Sequence, residues 1–305
     1  MKGTDFKKSV VAAAVGMTLV APATDAKQKD QEERSEHVAG FRVFLNTDIN
    51  DETVSGIVAA TENVGFVHIT SAGQPQAGGA IAMGGEPTAV AVVGGYALVA
   101  VNTSPSYVAP SGKLVVIDMA GKSIVTEHML GGQPVSVAVS PDGRYAAVVI
   151  ENERDEDLGD GAPPQLPSGF LTIVDLVGAP SDWGMRTASL AGLPDLYPTY
   201  TQPAYVDISK QNIAIVTLQE NNHIVLVDLE SGDVALDFDA GIVNLDRNDV
   251  EDDGLISLNH LLDYVLHEPD GASWISNKLF ATANAGVDGS NDETQLLRLK
   301  GVFDH

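Results

Sequence analysis

The chain has 305 residues, 44% of them hydrophobic, which suits one large core or two smaller ones. Its formal net charge of −25 repels phosphate backbones and anionic lipid, which argues against nucleic acid and membrane surfaces as partners. There is no cysteine, so disulfides, zinc–thiolate centres and cysteine nucleophiles are ruled out.

Residues 1–26 have the layout of a secretory signal. Lys2, Lys7 and Lys8 precede a short apolar run from Val10 to Val20, and Ala21-Pro22-Ala23 offers a small-x-small cleavage site, with Ala26 as a second. The run is too short to span a bilayer comfortably, so the expectation is cleavage, no membrane insertion afterwards, and a periplasmic or extracellular mature protein. Residues 27–37 are a charged leader without apolar period.

From Val38 the chain alternates short Val-rich runs with Gly, Asp, Asn and Pro, which points to β structure. Four segments repeat a pattern of acid or amide, Pro, strand, turn, strand. They begin at Glu86, Gln133, Gln202 and Glu268, with Pro-to-Pro spacings of 47, 69 and 66. Their turns are Gly94-Gly95, Pro141-Asp142-Gly143, Lys210-Gln211-Asn212 and Ser276-Asn277-Lys278, short enough to join antiparallel strands directly. Three are followed by a third strand ending in Asp (Asp118, Asp175, Asp228) and then a fourth strand; the run around His68 is an earlier copy of the third strand without the Asp. Each terminal Asp is expected to accept hydrogen bonds from the N–H groups of the following turn.

Four-stranded antiparallel units repeating in this way are propeller blades. A blade cannot bury both its faces alone, so neighbours must pack around an axis. The fold class is therefore all-β, a β-propeller, with blades at about 38–82, 83–131, 132–192 and 200–240 and an incomplete one from 268. The ring is either small and irregular or incomplete. One exception to β structure is expected. Leu258, Leu261, Leu262, Val265 and Leu266 follow a helical period, and a helix there would carry His260, Asp263 and His267 on its polar face.

Three runs, ENERDEDLGDGAPPQLPSGFLTIVDL (151–176), VTLQENNHIVLVDLESG (216–232) and the EPDGASW…FATANAG set (268–286), are similar to those of exported bacterial propellers described as having esterase-like activity of the phytase family. They also resemble the related choice-of-anchor I propellers, some of them alkaline phosphatase-like. The resemblance runs over roughly residues 40–290 and implies a phosphoester or ester hydrolase. It also implies further blades beyond the last repeat, so this chain reads as a C-terminally shortened member.

Three residue sets carry candidate chemistry. The acidic loop of Glu151, Glu153, Asp155, Glu156, Asp157 and Asp160 offers hard oxygen ligands at alternate spacing, suited to Ca²⁺, or else is solvated surface. Asp249, Glu251 and Asp253, before Gly254, echo the start of a calcium loop, but His260 stands where the bidentate Glu belongs; the other reading is an acidic connection between blades. Glu86, Gln133, Gln202 and Glu268 recur at the start of each inner strand and so face the channel or its rim. There they either bind a cation or a small polar or phosphorylated ligand, or cap strand ends. No G-x-S-x-G, P-loop, H-E-x-x-H or dinucleotide fingerprint is present. Three functions follow: a binding or scaffold propeller, a Ca²⁺-assisted hydrolase, or a shortened product without activity of its own.

Overall fold

The computed structural model describes residues 43–46, 54–60, 62–70, 74–155, 158–159, 164–249, 254–285 and 300–302. Four sheets of four antiparallel strands follow one another along the chain. The first holds β1 (Val43–Asn46), β2 (Val54–Ala60), β3 (Asn63–Ile69) and β4 (Pro75–Ala82). The second holds β5 (Glu86–Val93), β6 (Tyr96–Asn102), β7 (Gly112–Asp118) and β8 (Ser123–Met129). The third holds β9 (Pro134–Val139), β10 (Tyr145–Ile150), β11 (Phe170–Asp175) and β12 (Gly184–Ser189), with a 3-10 turn at Pro180–Asp182. The fourth holds β13 (Pro203–Ile208), β14 (Ile213–Leu218), β15 (His223–Asp228) and β16 (Val234–Asp239). A separate hairpin, β17 (Ile242–Asn248) and β18 (His260–Leu266), leads to a three-stranded sheet of β19 (Pro269–Ser276), β20 (Leu279–Asn284) and β21 (Lys300–Val302).

The first strands of successive sheets pack on one another: β5 on β9, β9 on β13, β13 on β19, with β1 and β2 against β5. That radial stacking of inner strands makes the sheets the blades of a β-propeller. The described blades do not close into a ring. Among the described residues no helix is long and apolar enough to cross a membrane.

The core lies between blades. On β10, Ala146, Val148 and Ile150 join Leu98, Ala100, Leu114 and Val116 of the second blade. The alternate residues Tyr145, Ala147 and Val149 join Ala214, Val216 and Leu218 of the fourth. Two-residue periodicity sends neighbouring side chains to opposite faces, so a strand wedged between two blades must be apolar throughout. β10 is buried at every position. The outer strands meet solvent: β8 and β12 are mostly exposed, and β16 is exposed at half its positions and fully buried at none.

Two glycines set the spacing between blades. A Cβ on Gly112 would run into Pro134 Cδ, and one on Gly169 into Pro203 Cδ and the Ile150 carbonyl oxygen. The third strand of one blade thus starts hard against the inner-strand proline of the next. The prolines cost no ladder bond because each stands at the first residue of its strand.

The strand-ending aspartates divide. Asp118 accepts the N–H groups of Ala120 and Gly121, and Asp228 those of Glu230 and Ser231, as turn caps. Asp175 instead holds Arg186 by two bonds of 3.0 and 2.8 Å, and Arg186 goes on to the Leu229 carbonyl of the next blade.

The helix expected near residue 260 is not formed. Residues 260–266 are strand β18, paired with β17 through Ile242↔Leu266 and Leu245↔Leu262. Leu258 and Leu261 are each 58% exposed, so a helical stripe there would have had no core to cover. Pairing with β17 satisfies the backbone instead. His260 and Asp263, three apart on a strand, point to opposite faces and do not form the shared polar face expected of a helix.

Candidate functional site

Inner strands begin, and second strands end, at the same end of the propeller. Gln133 and Gln202 each stand one residue before an inner strand, and both are buried. They are held alike. The N–H of Gln133 donates to Asn152 Oδ1 and that of Gln202 to Asn221 Oδ1, each at 2.9 Å. Asn152 has a φ of 54°, a left-handed conformation that asparagine tolerates better than most residues. Glu268 follows the same plan one blade on, with its N–H on Asn222 Oδ1 at 2.9 Å. Its own φ of 43° is unfavourable for Glu and is held by the surrounding fold. Glu86 is exposed at the start of β5 and stands outside this set.

The acidic loop and the rim amides, far apart in the sequence, form one cluster. Glu151, the first residue after β10, accepts a bond from Gln202 Nε2 of the next blade at 3.1 Å. Glu153 Oε2 accepts from Gln133 Nε2 at 3.2 Å, and its N–H returns a bond to Gln133 Oε1 at 3.1 Å. Arg154 reaches across to Glu220, Nη1 to Oε2 at 3.2 Å. The Asp155 N–H goes to Gln165 Oε1. Two consecutive acids of the loop are therefore drawn to different glutamines. Glu156, Asp157 and Asp160 lie outside the described residues. In the second acidic segment Asp249 Oδ2 accepts the Ser257 N–H at 3.1 Å, and Glu251 and Asp253 lie outside the described residues. Among the described residues no group of three or more His, Asp and Glu side chains is gathered as a metal site.

Charge crowding marks the cluster. Burial, then repulsion from Glu153, Glu220 and Asp270, pushes the Glu151 carboxyl up to about 8, against the lowering effect of its bond from Gln202. Burial and Glu220 push Glu268 up to about 7. Burial also raises the Tyr200 hydroxyl, an effect that Arg154 opposes and Glu151, Glu220 and Glu153 reinforce. At neutral pH the Glu151 carboxyl is therefore mostly protonated and that of Glu268 about half so, and a positive charge would favour the ionised form of both.

Two polar atoms of the cluster are buried without a hydrogen-bond partner: Gln202 Oε1 and Tyr200 Oη. The third blade shows what Gln202 lacks. There the residue after the bracing asparagine, Glu153, donates its N–H to the glutamine oxygen. The counterpart after Asn221 is Asn222, whose N–H is taken by the Gln219 carbonyl. Gln202 Oε1 is left with no donor, and a buried acceptor without a partner costs about 1–3 kcal/mol.

Glu220, Tyr200, Asn152 and Asn221 were not singled out in the sequence. One signal was available: Asn152 follows Pro134, and Asn221 follows Pro203, by the same 18 positions. Glu220 and Tyr200 have no such echo.

Several solved structures are similar at low identity. Hydrazine synthase of Kuenenia stuttgartiensis is 14% identical with a TM-score of 0.47, over 79% of this chain and 69% of that one. The β-propeller domain of a Myceliophteria thermophila protein is 12% identical with a TM-score of 0.47, over 75% and 63%. A catalytically inactive virginiamycin B lyase from Staphylococcus aureus, with quinupristin, is 12% identical with a TM-score of 0.45, over 86% and 74%. No curated protein matches the chain. Residues 46–300, from the last residue of β1 to the first of β21, match the model of the choice-of-anchor I domain, and the chain belongs to that family.

Proposed function

We propose that the chain is an exported propeller that works as a binding module, with a small polar ligand held at the rim by Gln202, Tyr200, Glu151 and Glu268. The observation that carries this reading is the pair of buried, partnerless atoms, Gln202 Oε1 and Tyr200 Oη, in a cluster whose Glu151 carboxyl is pushed up to about 8. A ligand that supplies donors there recovers bonds that folding left unmade. Export is supported by the signal-like N-terminus and the choice-of-anchor family. The hydrolase reading gains nothing from this site, where the guanidinium that could meet a phosphate group, that of Arg154, is already paired with Glu220.

A thermal-shift screen of amines, amino acids, sugars and organic acids tests the site. At least one class is expected to raise the melting temperature of the wild type, and Gln202→Leu or Tyr200→Phe should remove that gain. Tyr200→Phe, which deletes an unpaired hydroxyl, should itself be no less stable than wild type. Ligands whose gain survives both substitutions, or no gain from any class, would sink the proposal.

A further inference from the structure

Deepening the reading just given, and resting on it, we infer that the rim site takes an organic cation, an ammonium or guanidinium group. In the free protein the chain's own Arg154 guanidinium occupies part of that site. The chemistry is read from what the site offers. Gln202 Oε1 can only accept a hydrogen bond, Tyr200 Oη accepts as well as donates, and Glu151, once it has given up its proton, only accepts. The complement to unpaired acceptors beside carboxyls that a positive charge would ionise is a group with several N–H donors and a positive charge.

Arg154 shows that such a group fits. Its Nη1 lies 3.2 Å from Glu220 Oε2, and its side chain is only 16% exposed. It leaves Gln202 Oε1 and Tyr200 Oη without bonds. A bare metal ion fits less well. The carboxylates are held by different glutamines, Glu151 by Gln202 and Glu153 by Gln133, and the described acids and histidines do not converge on a point.

Binding is coupled to protons. The groups that act on the Glu151 carboxyl are Glu153 from its own loop, Gln202 just before β13, Glu220 just after β14, and Asp270 from β19; Glu151 and Arg154 both act on Tyr200, and Glu268 joins through Glu220. An arriving cation favours the carboxylate form, so a proton leaves Glu151 for solvent as the ligand's positive charge enters, and the local charge is conserved.

Isothermal titration of the full chain with methylguanidine and with n-butylamine, in two buffers of different ionisation enthalpy, reads both binding and proton release. Saturable binding is expected, with up to about one proton released near pH 7 and affinity rising roughly tenfold per pH unit below about 8. Glu151→Gln, near in shape and checked for an unchanged circular dichroism spectrum, should remove the proton release and weaken binding. Arg154→Met should strengthen binding several-fold by clearing the site, whereas a purely structural Arg154 would give no gain. If neither cation binds, or calcium chloride binds with the same proton release while both cations fail, the inference is overturned. If instead a sugar or organic acid binds in a way that depends on Gln202, the rim site stands and only the cation falls. If nothing depends on Gln202, the rim site itself is lost.

Discussion

At the residue scale, Glu151 links stability to pH with a sign opposite to that of most carboxylates. Its folded value, about 8, lies above the ordinary value of 4.5. Between those two values the unfolded chain has lost a proton that the folded chain keeps, so stability is fully present below about 4.5 and is lost as pH rises through about 8. The slope is at most about 1.4 kcal/mol per pH unit. Glu151→Gln, neutral at every pH, should match wild type in urea unfolding at pH 4.5 and exceed it by about 2–4 kcal/mol at pH 9. Equal stability at pH 9 would mean that the carboxyl is not held in its neutral form. Glu268, raised to about 7 by burial and Glu220, adds to the same trend over a narrower window.

At the element scale, the strands between blades and the glycine–proline contacts carry the architecture. Val90 is fully buried against Val64, Phe66 and Val99. Val90→Asp would place an unpaired carboxylate there and should cost more than about 3 kcal/mol or prevent folding. Gly169→Ala probes the blade spacing by a different route, since its methyl would meet Pro203 and the Ile150 carbonyl. A loss of about 1–3 kcal/mol is expected, because backbone on one side and a proline ring on the other leave little room to relax. Gly95→Ala, in an open turn with no close neighbour, is the control and should be nearly silent. Denaturant midpoints that rank the three differently would contradict two-faced burial of the blade strands.

The blade pattern was legible because it is local: a proline, an apolar strand, a short turn and a second apolar strand recur within about twenty residues. The misread segment at 258–266 was local too. Its leucines fit a helical period, but a period says nothing about whether a core lies beneath it, and there Leu261 and Tyr264 face solvent. Of the rim set, Gln133, Gln202 and Glu268 recur by position and could be found; Glu86 recurs as well but remains exposed.

At the scale of the whole molecule, the charge of −25 and the signal-like N-terminus concern where the protein works and not how it folds. N-terminal sequencing of exported protein should give a start at Thr24 or Lys27; an intact Met1 in secreted material would refute cleavage. What residue order alone establishes is the blade: strand length, turn chemistry and apolar faces follow from neighbours along the chain, whose periodicity records burial directly. The site is different. Gln202 meets Glu151 across 51 residues, and Glu268 meets Asn222 across 46, because stacked blades bring the start of one inner strand beside the end of another blade's second strand. A carboxylate in a linear sequence carries no mark of which neighbour will desolvate it. Packing around the axis turned two unrelated-looking motifs, an acidic loop and a row of amides, into one crowded and partly unsatisfied cluster.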